Sequence, residues 1–306
     1  MGRFIVRRLM TSLVTLLISS FLVCMLIHLI PGDAASVMSQ SSSPSPEQLA
    51  AMRHALGLDV PVLTQYLHYM EHLSSGNLGR SIFGDQPVAT LLIARLPTTF
   101  TLALSGLAIA VGFGMPLGML VAYKKGSFVD NALMMLAVIG VSIPTFWLGL
   151  MLVLLFSVTL NWLPVAGEGW RSMILPAFTL GFAYLAIVAR VTRSAMIDVL
   201  GEDFIRTARS KGMSETLVFY RHALRPAAIS VAAIIGVIFG YLMGGVVVVE
   251  NVFSLNGLGR LAIQAISYRD YPLIQGFMLL FAAIIVTTSF LVDVAFAWLD
   301  PRISAR

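Results

Sequence analysis

The chain has 306 residues, of which 58% are hydrophobic and only 11% are charged. A soluble domain carries about 25% charged residues to cover its water-facing surface, so this composition favours a protein whose surface faces lipid. The net charge of +5 does not indicate a nucleic-acid partner, because the basic residues are concentrated in alternate polar segments. The single cysteine, Cys24, excludes a disulfide within the chain and is predicted to be a buried thiol.

Six apolar stretches are long enough to cross a hydrocarbon core, which takes about 20 helical residues. The first follows three arginines and is too long for a cleaved signal peptide, so we interpret it as an uncleaved signal-anchor helix. The third is longer than the minimum and contains Pro144, so we expect a tilt, a kink or a turn that does not span. The sequence therefore predicts an all-α integral membrane protein with six transmembrane helices, at residues 9–30, 98–122, 131–160, 173–189, 227–249 and 275–298.

The distribution of Lys and Arg predicts the orientation of these spans. With the N-terminus in the cytoplasm, fourteen of the twenty basic residues fall in inside segments, whereas the acidic residues are divided almost evenly. This is the positive-inside pattern, and it places both termini in the cytoplasm. We predict a signal-anchor helix at 1–30, an extracytoplasmic subdomain at 31–97, and a five-helix core at 98–306 with a cytoplasmic loop at 190–226.

The spans contain almost no ionisable residues, which disfavours transport driven by protons or sodium, because such transporters need these groups at mid-depth. The sequence also has no phosphate-binding Gly-x-x-x-x-Gly-Lys-Ser/Thr motif and no nucleophile beside a base. His68 and His72 lie at i, i+4, but on an amphipathic outside helix two exposed histidines are more common than a zinc site. We therefore predict no catalytic site, no cofactor and no metal, and an energy source outside this chain.

The cytoplasmic loop has an ordered charge pattern. Glu202 and Asp203 come first, and Arg209 and Lys211 come last, which suits the dipole of a short helix. Gly212 then suits a left-handed cap that ends this helix. A basic loop lying on anionic lipid headgroups is the alternative interpretation, and it explains the arginines but not their order.

The same loop carries apolar residues that a purely water-facing segment would not need. Phe204, Ile205 and Ala208 are expected on one helical face, and Ser214 is expected to cap a second short helix. We predict a protruding hook of two short helices that a separate motor protein grips.

Glycines in the fifth predicted span recur every four residues, at Gly236, Gly240 and Gly244. Small residues at this spacing form a flat stripe on which another helix can approach closely. Two interpretations stay open: the stripe lines a translocation path or a partner subunit, or it serves static packing inside the chain.

Residues 202–212 and the run Arg-His-Ala-Leu-Arg at 221–225 resemble the "EAA" loop of ATP-binding-cassette importer permeases. The resemblance is to the dipeptide, oligopeptide and nickel branch, which includes glutathione permeases, and it extends over nearly the whole chain. The chain departs from the family pattern at Ala34, Pro226 and 254–256, which puts in doubt details at the ends of the fifth span. Further matching motifs lie at 56–59, 76–79, 162–164, 174–176, 257–260, 269–272 and 300–302.

This resemblance implies a type I importer permease subunit in the bacterial inner membrane, with spans two to six as its core. It implies a homologous second permease subunit, two ABC ATPases that hydrolyse the ATP, and a periplasmic solute-binding protein as partners, besides the lipid bilayer. The cargo would be a small peptide or a related chelate; a metal or metallophore importer, an ion-driven transporter and a membrane scaffold are the alternatives. The coupling residues it implies are Glu202, Asp203, Phe204, Arg206, Thr207, Ala208, Arg209, Lys211 and Gly212.

Overall fold

The computed structural model of the chain describes residues 2–29, 32–38, 45–167 and 169–299. Within these ranges the regular structure is helical, with one isolated β-bridge between Arg80 and Pro87 and no strand. The predicted all-α class is therefore confirmed. The helices are α1 Gly2–His28, α2 Ala34–Met38, α3 Pro46–Ala55, α4 Val62–Ser74, α5 Val88–Tyr123, α6 Phe128–Ser142, α7 Thr145–Leu152, α8 Trp170–Leu200, α9 Asp203–Ser210, α10 Glu215–Leu217, α11 Leu224–Val252, α12 Leu258–Tyr268 and α13 Tyr271–Leu299, with π-helical segments at Val153–Thr159 and Val218–Ala223.

Five continuous helical segments are long and apolar enough to cross a membrane. A sixth span forms if α6 is counted together with α7 and its π segment, although the two parts are bent by 97°. The bend lies at Ile143 and Pro144, where the proline ring removes a backbone donor and the helix restarts at Thr145. The six-span architecture is confirmed, with the third span broken at Pro144. The continuous segments are Val6–His28, Val88–Tyr123, Trp170–Leu200, Glu215–Val252 and Tyr271–Val294.

Two spans are longer than their apolar stretches. α5 begins at Val88 rather than at residue 98, and α8 continues to Leu200 rather than ending at residue 189. Hydropathy reports only the lipid-facing part of a helix, and no Gly or Pro interrupts the chain between residues 189 and 200. The first residues of the predicted cytoplasmic loop are therefore a continuation of α8.

The chain forms two compact units, and the first comprises Met1–Thr98 and Asn256–Thr287. In this unit α4 packs along α1: the hydroxyls of Ser20 and Tyr66 lie 3.1 Å apart, and a ring nitrogen of His28 lies 3.0 Å from Oε1 of Gln65. Cys24 is fully buried, as predicted. Helix α4 therefore rests against the first membrane helix.

The second unit comprises Thr99–Leu255 and Thr288–Arg306. In it α8 packs against α6, α7 and α11. α5 approaches α8 so closely that a Cβ on Gly114 would lie 2.7 Å from the carbonyl oxygen of Leu185, and one on Gly181 would lie 2.5 Å from that of Gly106. Glycine is needed at this crossing because any side chain would push the two helices apart.

Candidate functional site

Helix α9 is the predicted coupling helix, and its ends form as its sequence requires. Glu202 is the N-cap residue, Asp203 lies in the first turn and Arg209 in the last, which complements the helix dipole. Gly212 then adopts φ +75° and its amide donates to the carbonyl of Arg209 at 2.9 Å. A residue with a Cβ is strained in this left-handed conformation. The predicted helix and its glycine cap are both confirmed.

The second short helix of the predicted hook is not a separate element. Ser214 accepts a hydrogen bond from the amide of Leu217 at 3.4 Å, as expected of a cap. However, α10 continues through the π segment into α11, so Glu215–Val252 is one continuous helical span. No glycine lies between Glu215 and the start of α11 to interrupt it. The hook is therefore one short helix held between two long ones.

The apolar residues of α9 are divided between the inside and the outside. Ile205 is 0% exposed and Ala208 6% exposed, whereas Phe204 is 46% exposed. The spacing of these three residues puts them on one helical face, as expected, but this chain covers only Ile205 and Ala208. Ala208, predicted as a coupling residue, faces the core of this chain, and Phe204 is the apolar side chain of α9 that a partner can contact.

The buried side of α9 rests on the ends of three long helices. Ile205 and Ala208 belong to a cluster that includes Ala122 at the end of α5 and Met196 near the end of α8. The same cluster includes Phe219 of the π segment and Ala227 of α11. Protein interiors are close-packed and transmit displacement, so α9 is coupled mechanically to these three helices.

The polar side of α9 contains two arginines, one held in a bidentate ion pair and one largely exposed. Arg209 donates two hydrogen bonds to Glu215, at 2.7 and 3.0 Å, and this raises the pKa of the Arg209 guanidinium. Arg206 forms a single longer ion pair with Asp203 at 3.5 Å and stays 75% exposed. Arg209 therefore braces α9 against the next helix, while Arg206 is available to a partner. Glu202, Thr207, Lys211 and Gly212 are also exposed.

A buried ion pair fixes α6 to α8 at the same end of the unit. Arg193 donates from Nε and Nη2 to the two carboxylate oxygens of Asp130, both at 2.7 Å, and the amide of Gly126 donates to the same carboxylate at 2.9 Å. The side chain of Asp130 is 3% exposed. Sequence reasoning missed this pair because it treated Arg193 only as a positive-inside charge. The Ser127-x-x-Asp130 capping pattern is a local signal, but it does not indicate the partner.

The glycine stripe of α11 also has a part that is covered by this chain and a part that is not. A Cβ on Gly236 would collide with Val292 of α13, so Gly236 serves packing inside the chain. Nothing lies within 4 Å of a Cβ built on Gly240 or Gly244. Static packing therefore accounts for Gly236, while a path or a partner subunit at Gly240 and Gly244 stays a prediction.

A second buried ionisable group, Glu250, lies inside α11, one residue beyond the predicted end of the fifth span at residue 249. It is fully buried, and its carboxylate accepts a hydrogen bond from Thr99 at 2.6 Å. Glu250 and Asp130 lie in the terminal turns of their helices, not at mid-span where ion-coupled transporters place such groups. No group of three or more His, Cys, Asp or Glu that could hold a metal occurs in the part of the chain that the structure describes.

The chain has six helical spans, with a break in the third, and a short amphipathic helix packed against the ends of α5, α8 and α11. This is the architecture expected of a membrane permease. Residues 114–305 match the family described as binding-protein-dependent transport system inner membrane component, and residues 1–103 match its N-terminal counterpart. The chain belongs to this family. It is therefore a permease subunit of an ATP-binding-cassette importer, and the prediction of an importer permease is confirmed over the ion-driven alternative.

Relatives of known description match along nearly their whole length. The chain is 41% identical over 304 residues to a glutathione transport system permease protein of Salmonella typhimurium (strain LT2), covering 99% of both chains. It is 43% identical over 312 residues to a putative peptide transport system permease protein of Brucella abortus (strain 2308), again covering 99% of each.

Solved structures show the same fold at lower identity. The inward-facing methionine ABC transporter MetNI matches with a TM-score of 0.56 and 16% identity, over 69% of this chain and 97% of that one. An amino acid ABC transporter with histidines matches with a TM-score of 0.50 and 19% identity, over 68% and 94% of the two chains. These likenesses support the importer permease fold.

Proposed function

We propose that this chain carries short peptides, including the tripeptide glutathione, across the inner membrane, with ATPases that bind at α9 supplying the energy. The glutathione and peptide permeases at 41% and 43% identity support the cargo class. The observation that supports the coupling role is that α9 has one buried side and one exposed side. Its buried side is fixed to α5, α8 and α11, while Phe204 and Arg206 point away from that core.

The proposed transporter contains three kinds of partner protein. A homologous second permease subunit pairs with this one around the path, with Gly240 and Gly244 on the side of α11 left open for it. Two ATPases each receive one α9 helix, and a periplasmic solute-binding protein delivers the peptide. Both termini lie in the cytoplasm, and the division into 1–30, 31–97 and 98–306 with the coupling loop at 190–226 belongs to this proposal.

The arrangement of α9 indicates how a movement of the ATPase reaches the membrane-spanning helices. An ATPase that moves Phe204 and Arg206 also moves Ile205 and Ala208, because all four residues are in one eight-residue helix. The close-packed cluster passes that movement to the ends of α5, α8 and α11. The ion pair between Asp130 and Arg193 joins α6 to α8, so α6 moves with these helices.

Reversing the exposed charge on α9 tests the docking role. Arg206→Glu should reduce the amount of ATPase that copurifies with the permease, in a salt-dependent manner, because the contact is exposed and screened. Phe204→Ser should reduce it without that salt dependence. Lys124→Glu is the matched control, with the same charge change at an exposed position outside α9. Equal ATPase retention by Arg206→Glu and Lys124→Glu at low salt would refute the docking assignment.

The glycine cap gives a second test of the same proposal. Gly212→Val forces a β-branched residue into a left-handed conformation, at about 1–2 kcal/mol of local backbone strain, while no neighbour lies within 4 Å to clash. The chain should insert and purify normally but lose ATP-driven uptake of labelled glutathione. Normal uptake in this variant would contradict the coupling role of the cap.

A further inference from the structure

A cavity of about 610 Å³ lies at the N-terminal end of α8. Its lining includes Ser157, Asn161, Trp162, Trp170 and Arg171. α8 is 31 residues long, so at about 1.5 Å per residue the cavity lies roughly 45 Å from α9, at the opposite end of the helix. Small-molecule sites have volumes of about 300–1,000 Å³, and this cavity is within that range.

One wall of the cavity is built by the π segment Val153–Thr159 and the turn after it. The amide of Leu160 donates to the carbonyl of Leu155 at 2.9 Å, and the amide of Trp162 donates to that of Phe156 at 2.9 Å. Asn161 between them adopts φ +53°. π turns are rare and occur frequently at functional sites. The backbone therefore holds Ser157 and Trp162 in place without a ligand.

The other wall is held by Ser172, whose side chain is nearly fully buried. Its hydroxyl lies 2.9 Å from the carbonyl oxygen of Gly167 and 2.7 Å from that of Gly169, and these contacts hold both glycines against the first turn of α8. Trp170 and Arg171 follow directly on the first turn of the helix. Both walls are thus preformed, which reduces the entropy that a ligand must lose on binding.

The cavity presents polar groups that this chain leaves unused. The hydroxyl oxygen of Ser157 is buried and has no hydrogen-bond partner among the described residues. The guanidinium of Arg171 makes one long hydrogen bond, 3.5 Å to the carbonyl of Trp162, and it takes part in none of the ion pairs that the structure describes. The guanidinium of Arg171 is therefore the cationic group of the cavity that is available to a ligand.

Two of the four tryptophans in the chain flank these groups. Trp162 is 62% exposed and Trp170 is 75% exposed. Tryptophans also gather at membrane interfaces as an aromatic belt, which is the simplest alternative to a binding site. A belt explains exposed indoles, but it requires neither a concave site nor a guanidinium in the lining of that site.

We propose that this cavity binds the carboxylate of a short peptide. Arg171 holds the carboxylate, since guanidinium is the side chain best matched to carboxylate geometry. The indoles of Trp162 and Trp170 cover the adjoining apolar part of the peptide. This inference rests on the proposed function, because it assigns a contact site for the cargo at the end of α8 farthest from the coupling helix.

The test is a binding titration of the full chain in lipid nanodiscs, without a solute-binding protein, followed by tryptophan fluorescence. Tri-alanine should change the emission saturably, and its C-terminal amide should bind roughly tenfold more weakly, the loss expected for one charge-assisted hydrogen-bonded pair. Arg171→Met should weaken tri-alanine binding by a similar factor, and Arg171→Lys by less. Trp147→Phe, which removes an indole outside the cavity lining, is the matched control and should leave the affinity unchanged.

Several outcomes would overturn the proposal. Equal affinity for tri-alanine and its amide in the wild-type chain would remove the carboxylate role, even if Arg171→Met failed to fold. Quenching of both indoles by lipids with brominated chains, with no response to peptide, would assign the residues to an aromatic belt instead.

Uptake of labelled tri-alanine by the complete transporter separates this proposal from the proposed function. Normal uptake without saturable binding to the permease would overturn the cavity site alone. Saturable, carboxylate-dependent binding without uptake of any peptide would overturn the proposed function and support the site.

Discussion

The ion pair between Asp130 and Arg193 should contribute far more stability than the pair between Glu215 and Arg209, although both are bidentate. The distances are alike: 2.7 and 2.7 Å in the first pair, 2.7 and 3.0 Å in the second. Burial differs, since the carboxylate side chain is 3% exposed in Asp130 and 59% exposed in Glu215. The second pair therefore serves as a matched control for the first.

The magnitudes follow from this difference in burial. Removing one partner of a buried pair costs about 3–5 kcal/mol, and the 28% exposure of the Arg193 side chain favours the low end. Exposed pairs contribute about 0–1 kcal/mol. At about 2 °C per kcal/mol for a chain of this size, Asp130→Ala should lower the melting temperature by roughly 6 °C or more, and Glu215→Ala by about 2 °C or less.

The assay is thermal unfolding of the purified chain in detergent, followed by the loss of a monodisperse size-exclusion peak. A double-mutant cycle with Arg193→Ala isolates the pair, because the double variant leaves neither charge uncompensated and should cost less than the two single losses added. A loss for Asp130→Ala no greater than that for Glu215→Ala would refute the reasoning. Strict additivity of Asp130→Ala and Arg193→Ala would also do so.

Gly114→Ala should lower the yield and melting temperature of the chain, because its Cβ would lie 2.7 Å from a backbone carbonyl of α8, whereas Gly240→Ala, with no atom within 4 Å, should leave both unchanged. A melting temperature for Gly114→Ala equal to that of Gly240→Ala would contradict the close approach of α5 to α8. Histidine NMR should show a pKa of His54 above its ordinary value of 6.5, because Asp59 accepts its hydrogen bond, and Asp59→Asn should lower that pKa. Because the folded pKa of His54 is raised and that of Asp59 is lowered, the stabilisation by this contact is present between pH 3.8 and pH 6.5 and is lost as pH rises through the raised His54 value. A His54 pKa that Asp59→Asn leaves unchanged would contradict it.

The features that the sequence predicted correctly are local ones. The break of the third span needs only Pro144, because a proline ring removes the backbone donor wherever it stands in a helix. The extent of α9 needs only its acidic start, its basic end and Gly212. The apolar spans needed only a count of residues, because the bilayer imposes a minimum length on any helix that crosses it.

The features that the sequence missed depend on which helices lie side by side. Asp130 and Arg193 are 63 positions apart, and neither sequence neighbourhood indicates the other. Whether Gly236 or Gly240 packs inside the chain depends on where α13 lies against α11. The cavity beside Arg171 likewise requires the π segment to turn back towards the start of α8.

The amino-acid sequence alone determined that the protein lies in a lipid bilayer, how many spans it has and where helix α9 lies in the chain. These properties follow from hydropathy, helix capping and proline chemistry, which act within a few neighbouring residues. Tertiary structure alone decided that Ile205 and Ala208 face inward while Phe204 faces outward. The physical reason is that an amphipathic helix specifies an apolar face, but only the packing of α5, α8 and α11 decides how much of that face is covered.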